Sequence, residues 1–207
     1  MLVKVLFMFV LAGIGRGDGS LKLSMTVLYE SKCPDSRSFV LWQLKPAMQL
    51  LRNRIKLQLV PFGKARSTNT GYGFECQHGP SECLGNVVQD CALSLMYDRD
   101  DSEKTEYVAC EMSTLAGARG SLECVQNANL AGAAVNQCIS SGRGRQLQLE
   151  SERLTNMYSP RFIPTVVING IFNQRVQDMS QVNLIDTLCR ILQQPSECRS
   201  YKNSNYL

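Results

Sequence analysis

Residues Leu21–Leu51 read LKLSMTVLYESKCPDSRSFVLWQLKPAMQLL, with Cys33-Pro34-Asp35-Ser36 near the centre. Over residues 21–29, apolar residues alternate with mostly more polar ones, which predicts a β-strand. Over residues 37–51, apolar residues recur at roughly helical spacing, although Pro46 is expected to kink that helix or end it early. Cys33 therefore lies at the junction between a strand and a helix.

The position of Cys33 favours a reactive thiol. A cysteine at the first turn of a helix faces unpaired backbone N–H groups and the positive end of the helix dipole, and both stabilise the thiolate. Pro34 suits the first helical position, which makes Cys33 the N-cap. Asp35 opposes the effect, because a nearby carboxylate disfavours a thiolate. Ser36 stands where a dithiol site has its second cysteine, so a mixed disulfide at Cys33 could not be resolved locally.

The rest of the chain extends this pattern in two blocks. Residues 21–63 predict a βαβ unit with parallel strands, because a second alternating run at 55–59 follows the helix. Residues 64–146 carry six cysteines and predict a disulfide-stapled, mainly helical insertion with helices near 87–95 and 124–139.

The last block returns to mixed strand and helix. Residues 160–198 predict a ββα unit: a β-branched run ending in Asn169-Gly170 indicates a hairpin with a type I′ turn, and an amphipathic helix starting near Val182 follows. Residues 199–207 are expected to form a tail. The order βαβ, insertion, ββα predicts an α/β thioredoxin-like fold, and Pro164 stands where that fold has a proline before its third strand.

The N-terminus and the charge limit the partners. Residues 1–17 predict a cleaved signal peptide, because Lys4 precedes an apolar run and small residues end it. That run is too short for a mature membrane anchor, and no later stretch is apolar enough to span a membrane. The net charge of +4 becomes +2 once Lys4 and Arg16 are removed, which implies no nucleic-acid partner.

Nine cysteines in a chain with a signal peptide predict a disulfide framework with one thiol left over. Cys33 is the expected free thiol, because it is set far from the other cysteines and at a helix start. The alternatives are that another cysteine is unpaired, or that Cys33 pairs with a distant thiol or a second chain. The sequence does not choose the connectivity of the expected disulfide cysteines, which are Cys76, Cys83, Cys91, Cys110, Cys124, Cys138, Cys189 and Cys198.

Metal and cofactor chemistry receive no support from the sequence. His78 is the only histidine, so no histidine-rich metal site or Ser-His-Asp triad is expected, and His78 is interpreted as a structural hydrogen-bonding residue. The spacings of Cys76, Cys83 and Cys91 do not match the short pairs of structural zinc sites. We therefore expect no metal and no bound cofactor, with an external small thiol as the reductant.

One string in the insertion points to a family. It comprises Cys76-Gln77-His78-Gly79, Glu82-Cys83, Asn86 and Cys91. With these spacings, the chain resembles the gamma-interferon-inducible lysosomal thiol reductase (GILT) family over about residues 25–198. The resemblance implies a thioredoxin-like domain with a helical insertion, a secretory route, and reduction of protein disulfides, often in acidic compartments and immune contexts.

The resemblance also assigns roles. Cys33 matches the attacking cysteine of the family, and Pro164 matches a cis proline that faces the active site. Ile163 would then present its main chain to a bound peptide. This sequence departs from the family pattern at Ser36, the position of the resolving cysteine, and at Thr165, where the family usually has tryptophan.

Three functions follow from these expectations. The first is a thiol-disulfide oxidoreductase that reduces or exchanges protein disulfides through Cys33, with Ser36 beside it in the site. The second is an inactive binding protein that traps substrates as mixed disulfides, and the third is a purely structural disulfide-rich domain. No Asn-x-Ser/Thr sequence is present, so glycan-dependent lysosomal delivery is not expected; secretion is the expected location, with a lysosomal alternative.

Overall fold

The computed structural model of the protein describes residues 22–69 and 73–205. The expected signal peptide at residues 1–17 lies outside the described residues. Within them, the chain forms a small mixed sheet with helices packed around it.

Three strands form the central sheet: β1 (Leu23–Tyr29), β2 (Ile55–Pro61) and β5 (Thr165–Ile168), in the order β2-β1-β5. β2 runs parallel to β1, as the βαβ pattern predicts, and β5 runs antiparallel to it. Six of the seven residues of β1 are buried, so the strand is covered on both faces. This double burial explains why its residues are more apolar than a strict alternation requires.

The helix after β1 is continuous but irregular. α1 (Pro34–Phe39) passes through a π-helical segment, Val40–Leu44, into α2 (Lys45–Leu51). In a regular α-helix the ring of Pro46 would clash with the carbonyl of Trp42. The wider π turn, in which the N–H of Lys45 donates to the carbonyl of Val40, precedes the proline and lets the helix continue.

The remaining elements lie mostly in the insertion and the C-terminal region. The larger core cluster joins the sheet to α2 and to the helices Pro80–Leu95, Asp101–Thr114 and Leu184–Ile191, through side chains such as Met25, Leu44, Met48, Met112 and Leu188. The elements not yet given are β3 (Arg66–Ser67), β4 (Phe74–Glu75), α3 (Pro80–Leu95), α4 (Asp101–Thr114), a 3₁₀ turn (Gly117–Arg119), α5 (Glu123–Asn127), α6 (Gly132–Ser140), α7 (Arg143–Tyr158), α8 (Gln174–Val182), α9 (Leu184–Ile191) and α10 (Ser196–Asn205).

The predicted C-terminal hairpin is only partly correct. Asn169 and Gly170 both have positive φ, at 50° and 74°, as a type I′ turn requires. The second strand, however, is a single bridge residue, Ile171, paired with Ile168. The chain leaves the sheet because Asn173 caps α8 two residues later, with its side chain accepting from the N–H of Val176.

Several helix boundaries also differ from the predictions. The helix expected over 124–139 is broken between α5 and α6, where Asn129 adopts a left-handed conformation with φ of 54°. Val182 ends α8 and is 80% exposed, and the last amphipathic helix begins only after Asn183. α7 extends past residue 146, where the insertion was predicted to end. α10 includes residues 199–205 of the expected tail.

Four disulfides tie the helices together. Cys76 pairs with Cys83, Cys91 with Cys138, Cys110 with Cys124, and Cys189 with Cys198. The second joins α3 to α6, the third joins α4 to α5, and the fourth joins α9 to α10. The insertion is therefore cross-linked to itself rather than to the sheet.

Removing the Cys110–Cys124 disulfide by replacing both residues with alanine is expected to lower the free energy of unfolding by about 3 kcal/mol. The bond closes a loop with a sequence separation of 14, and opening it increases the entropy of the unfolded chain. Urea unfolding followed by circular dichroism measures the change. A midpoint equal to that of the unmodified chain would contradict it.

Candidate active site around Cys33

Cys33 is the N-cap of α1. Its Sγ accepts the N–H of Ser36 at 3.5 Å, and its own N–H donates to the carbonyl of Glu30 at 3.3 Å. The side chain is 6% exposed, and among the described residues Cys33 is the cysteine without a disulfide. The geometry therefore gives a reduced sulfur that accepts a backbone N–H from the first turn of a helix.

Ser36 is fully buried one turn after Cys33. Its main-chain N–H, rather than its hydroxyl, makes the hydrogen bond to the Cys33 sulfur. The hydroxyl oxygen accepts the N–H of Glu30 at 3.3 Å, so it is directed to the backbone of the turn before the helix. Ser36 thus completes the turn around the thiol without offering a second sulfur.

The Ile163–Pro164 peptide faces Cys33 from the other side. The bond is cis, and the carbonyl of Ile163 lies 3.8 Å from the Cys33 sulfur, which donates its S–H to it. Ile163 and Cys33 belong to one buried apolar cluster with Leu28, Val60 and Phe62. The two segments that the sequence assigns to the site are therefore brought together by the fold.

Gln177 in α8 holds the proline segment in place. Its amide Nε2 donates to the carbonyl of Pro164 at 2.8 Å, and its Oε1 accepts the N–H of Val166 at the same distance. Gln181, one turn further, donates to the same Pro164 carbonyl at 3.3 Å. Neither glutamine was identified from the sequence, because a glutamine in an amphipathic helix gives no signal that distinguishes a buried clamp from a surface residue.

The family-signature residues hold the turn before Cys33. The N–H of Ser31 donates to Asn86 Oδ1 at 2.9 Å, and its hydroxyl donates to the carbonyl of Glu82 at 3.0 Å. A Cβ on Gly85 would lie 2.5 Å from Ser31 Oγ, so the absent side chain permits the approach of α3. The string recognised in the sequence therefore fixes the backbone that presents the thiol.

His78 lies in the turn closed by the Cys76–Cys83 disulfide. Its Nδ1 is 2.6 Å from Glu82 Oε2 and 3.4 Å from Glu30 Oε2. Burial raises the pKa of the Glu30 carboxyl, and the nearby Glu82 adds to the rise, while the N–H of Lys64 and His78 oppose it. Gln77, in the same turn, is exposed, and Gly79 uses a φ of 84° to start α3.

A further buried carboxyl group lies between α3 and α7. Asp90 Oδ2 accepts from Gln148 Nε2 at 2.7 Å and from Ser151 Oγ at 2.8 Å. Burial raises the pKa of Asp90 to about 7, although both hydrogen bonds act to lower it. Gln148 also donates to the carbonyl of Pro61, so this network links the insertion to the end of β2.

A cysteine at a helix N-cap, opposite a cis-proline segment on a mixed sheet, defines a thioredoxin-like thiol-disulfide oxidoreductase. The sequence of the chain is similar to that of one such family. The family described as "Gamma interferon inducible lysosomal thiol reductase (GILT)" matches residues 24–141. The chain belongs to the GILT family, and the thioredoxin-like α/β fold with a helical insertion is confirmed.

Individual proteins agree with this assignment. The chain is 34% identical over 196 residues to a gamma-interferon-inducible lysosomal thiol reductase-like protein of Anopheles gambiae, covering 87% of this chain and 81% of the relative. It is 27% identical to the gamma-interferon-inducible lysosomal thiol reductase of Carassius auratus, covering 85% and 72%. The crystal structure of Chlamydia trachomatis DsbA has the same fold, with a TM-score of 0.53, 17% identity, and coverage of 83% and 84%.

Proposed function

We propose that this protein reduces or exchanges protein disulfides through Cys33 alone. The observation that carries the proposal is the free sulfur of Cys33, which receives the Ser36 N–H and lies 3.8 Å from the carbonyl of Ile163. Membership of the thiol reductase family supports the class of reaction. The buried serine at position 36 supports the single-cysteine form of it.

The proposed reaction takes three exchange steps in reduction and two in exchange. The Cys33 thiolate attacks one sulfur of a substrate disulfide; the S–S bond breaks, and the other substrate sulfur leaves as a thiolate that takes a proton from water. In reduction, one external small thiol then displaces the second substrate sulfur from Cys33, and a second external thiol restores the Cys33 thiolate and leaves as the oxidised disulfide. In exchange, a second thiol of the substrate attacks its own sulfur in the mixed disulfide and releases Cys33 directly.

The surface beside the sulfur suits an extended or unfolded segment. Pro34 and Asp35 are exposed on one side of Cys33, and Arg161 and Phe162 are exposed on the other. The Ile163–Pro164 segment between them would orient the main chain of a bound peptide, as extended peptides are held by backbone groups in related modes of recognition. We therefore propose disulfide-containing proteins or peptides as substrates, a small thiol as reductant, and no bound cofactor.

The proposed location is outside the cell, with the lysosome as the alternative. The expected signal peptide supports entry into the secretory route, and the names of the relatives support the lysosomal alternative. Within residues 22–69 and 73–205, no helix is both long and apolar enough to cross a membrane. A host-defence setting is proposed because these relatives are named for induction by gamma interferon.

Trapping of substrates is the second candidate function, and Ser36 is the observation that favours it. Its hydroxyl accepts a hydrogen bond from the backbone and cannot attack a mixed disulfide. A protein that only traps its clients would accumulate as a covalent adduct released by strong reductant. Turnover with a mild external thiol distinguishes the enzyme from the trap.

The test compares the mature chain with its Cys33→Ser variant in the reduction of a denatured disulfide protein by excess small thiol, at acidic and neutral pH. We expect the unmodified chain to accelerate the reduction and the variant to give only the uncatalysed rate, because the serine hydroxyl is no nucleophile toward disulfides. A Cys189→Ala, Cys198→Ala double variant is the matched control, since it loses cysteines remote in sequence from position 33 and retains the site. Equal rates for the unmodified chain and Cys33→Ser would refute the enzyme proposal.

A further inference from the structure

Glu30, His78 and Glu82 converge on one point next to the turn that precedes Cys33. One potential ligand atom from each lies within 4.8 Å of the other two. The two glutamate side chains are fully buried, whereas the His78 side chain is 31% exposed. The cluster therefore combines two desolvated carboxylates with an imidazole that is open to solvent.

Each carboxylate is held by the backbone through one oxygen and directs the other toward His78. Glu30 Oε1 accepts the N–H of Lys64 at 2.7 Å, and Glu82 Oε1 accepts the N–H of His78 at 3.0 Å. Both Oε2 atoms remain near His78 Nδ1. Hydrogen-bonded carboxylates of this kind are typical of metal sites, in which outer partners orient the ligands.

Glu30 Oε2 is buried and accepts no hydrogen bond. A buried carboxylate oxygen without a hydrogen bond is costly, so its position favours a positively charged group nearby. A glycine at position 63 makes room for the Glu30 side chain. Gly63 has a φ of 60°, and a Cβ there would lie 2.3 Å from Glu30 Cγ. This oxygen accepts no hydrogen bond, and it lies 3.4 Å from His78 Nδ1, which is ion-pair distance when the imidazole is protonated.

One of the three ligand-atom separations already suits a small tetrahedral ion. Ligand bonds of 2.0–2.2 Å to zinc place neighbouring ligand atoms roughly 3.4 Å apart. The Glu30–His78 separation is already 3.4 Å. The Glu82–His78 separation of 2.6 Å is that of a hydrogen bond, which a metal ion would replace. An imidazole with two carboxylates favours zinc over calcium or magnesium, which prefer larger sets of oxygen ligands.

We propose that Glu30, His78 and Glu82 bind one zinc ion through Oε2, Nδ1 and Oε2, with water in the fourth position on the exposed side of His78. Two carboxylates balance the charge of the ion. Glu30 directly follows β1, His78 lies in the turn before α3, and Glu82 lies in the first turn of α3. This inference does not depend on the proposed thiol chemistry. It departs from the sequence-based expectation of no metal, because the ligands come from segments 48 residues apart rather than from short-spaced pairs.

The test uses the mature chain without a histidine tag, in a Cys33→Ser background, so that the free thiol cannot bind the metal. After treatment with chelator, the protein is dialysed against zinc, and bound metal is measured by elemental analysis. We expect about one zinc ion per chain. Loss of a residue that hydrogen-bonds to a metal ligand lowers metal affinity roughly 10–100-fold. His78→Gln and Glu30→Gln remove ligands themselves, so each is expected to weaken zinc binding by more than that.

The matched control is Glu75→Gln, which removes an exposed carboxylate close in sequence to His78 and should leave zinc binding unchanged. Because His78 is the only histidine, the ring ¹⁵N resonances of the Cys33→Ser chain report on this site alone and require no variant at the site. We expect zinc to shift the Nδ1 resonance. Unchanged ring resonances, no bound zinc, or binding that survives His78→Gln would each overturn the proposal.

Discussion

Replacing Ser36 with cysteine is expected to raise the turnover of disulfide reduction by on the order of 100-fold, because a thiol in the same chain replaces the external thiol that resolves the mixed disulfide. Holding the attacking group beside its target converts a bimolecular step into a unimolecular one. The position is suitable, since Ser36 is fully buried and its N–H already contacts the Cys33 sulfur. The substitution loses only the long hydrogen bond from the N–H of Glu30, at 3.3 Å.

The measurement is the steady-state rate with a denatured disulfide substrate and a fixed concentration of small thiol. Ser38→Cys is the matched control, because it adds a thiol to the same helix at an exposed position. The control should behave as the unmodified chain. If Ser36→Cys gives no gain over Ser38→Cys, resolution of the mixed disulfide is not the step that limits this protein.

The protein is expected to be more stable in acid than at neutral pH, and Asp90 is the main cause. Its folded-state pKa of about 7 lies above that of an unfolded aspartate, near 3.9. Between these values, the folded state keeps a proton that the unfolded state releases, so the free energy of unfolding falls as the pH rises. The contribution present below about pH 4 is lost above about pH 7, and it amounts to roughly 4 kcal/mol.

Asp90→Asn is expected to remove most of this pH dependence. The amide resembles the protonated acid: its oxygen can accept from Gln148 and Ser151, and it does not ionise. Urea unfolding at pH 4.5 and pH 8 gives the two free energies for each chain. Asp98→Asn, at an exposed aspartate eight residues later, is the control and should keep the slope. A slope in Asp90→Asn as steep as that of the unmodified chain would show that other groups control it.

Glu30 and Glu111 act in the same direction as Asp90. Burial is the main cause that raises the pKa of each carboxyl group, so each also favours folding at acidic pH. Such a preference is compatible with the lysosomal alternative for the location. This pH preference could not be predicted from the sequence, since the sequence pattern around a carboxylate does not reveal whether the fold buries it.

The parts of the fold that depend on local pattern were predictable. The strand at 23–29, the N-cap at Cys33 and the parallel second strand follow from periodicity and from the place of Pro34. The six cysteines of residues 64–146 and their helical pattern predicted the insertion, and the specific spacing of the string indicated the family. The approach of Ile163 to Cys33 depended on the family resemblance, since 130 residues separate them.

The parts that depend on distant packing were not predictable. The π-helical segment before Pro46 is a response of the backbone to a residue that was expected to kink or end the helix. The contact of Glu30 with His78 joins residues 48 positions apart, and the hydrogen bond from Gln177 to Pro164 links α8 to the loop before β5, 13 residues earlier. Such contacts leave no periodic signal, and they became visible only once the tertiary structure placed the residues together.

The nesting of two disulfides bears on how the chain is oxidised as it is made. Cys91 pairs with Cys138, and the Cys110–Cys124 bond lies wholly inside that loop. A chain that emerges from the ribosome N-terminus first presents Cys110 and Cys124 to Cys91 before its native partner exists. If cysteines paired in the order in which they are synthesised, Cys91 would form a non-native disulfide. Oxidation alone therefore does not ensure the four native disulfides. Maturation of this protein is expected to need an isomerase that reshuffles early bonds after Cys138 has been synthesised.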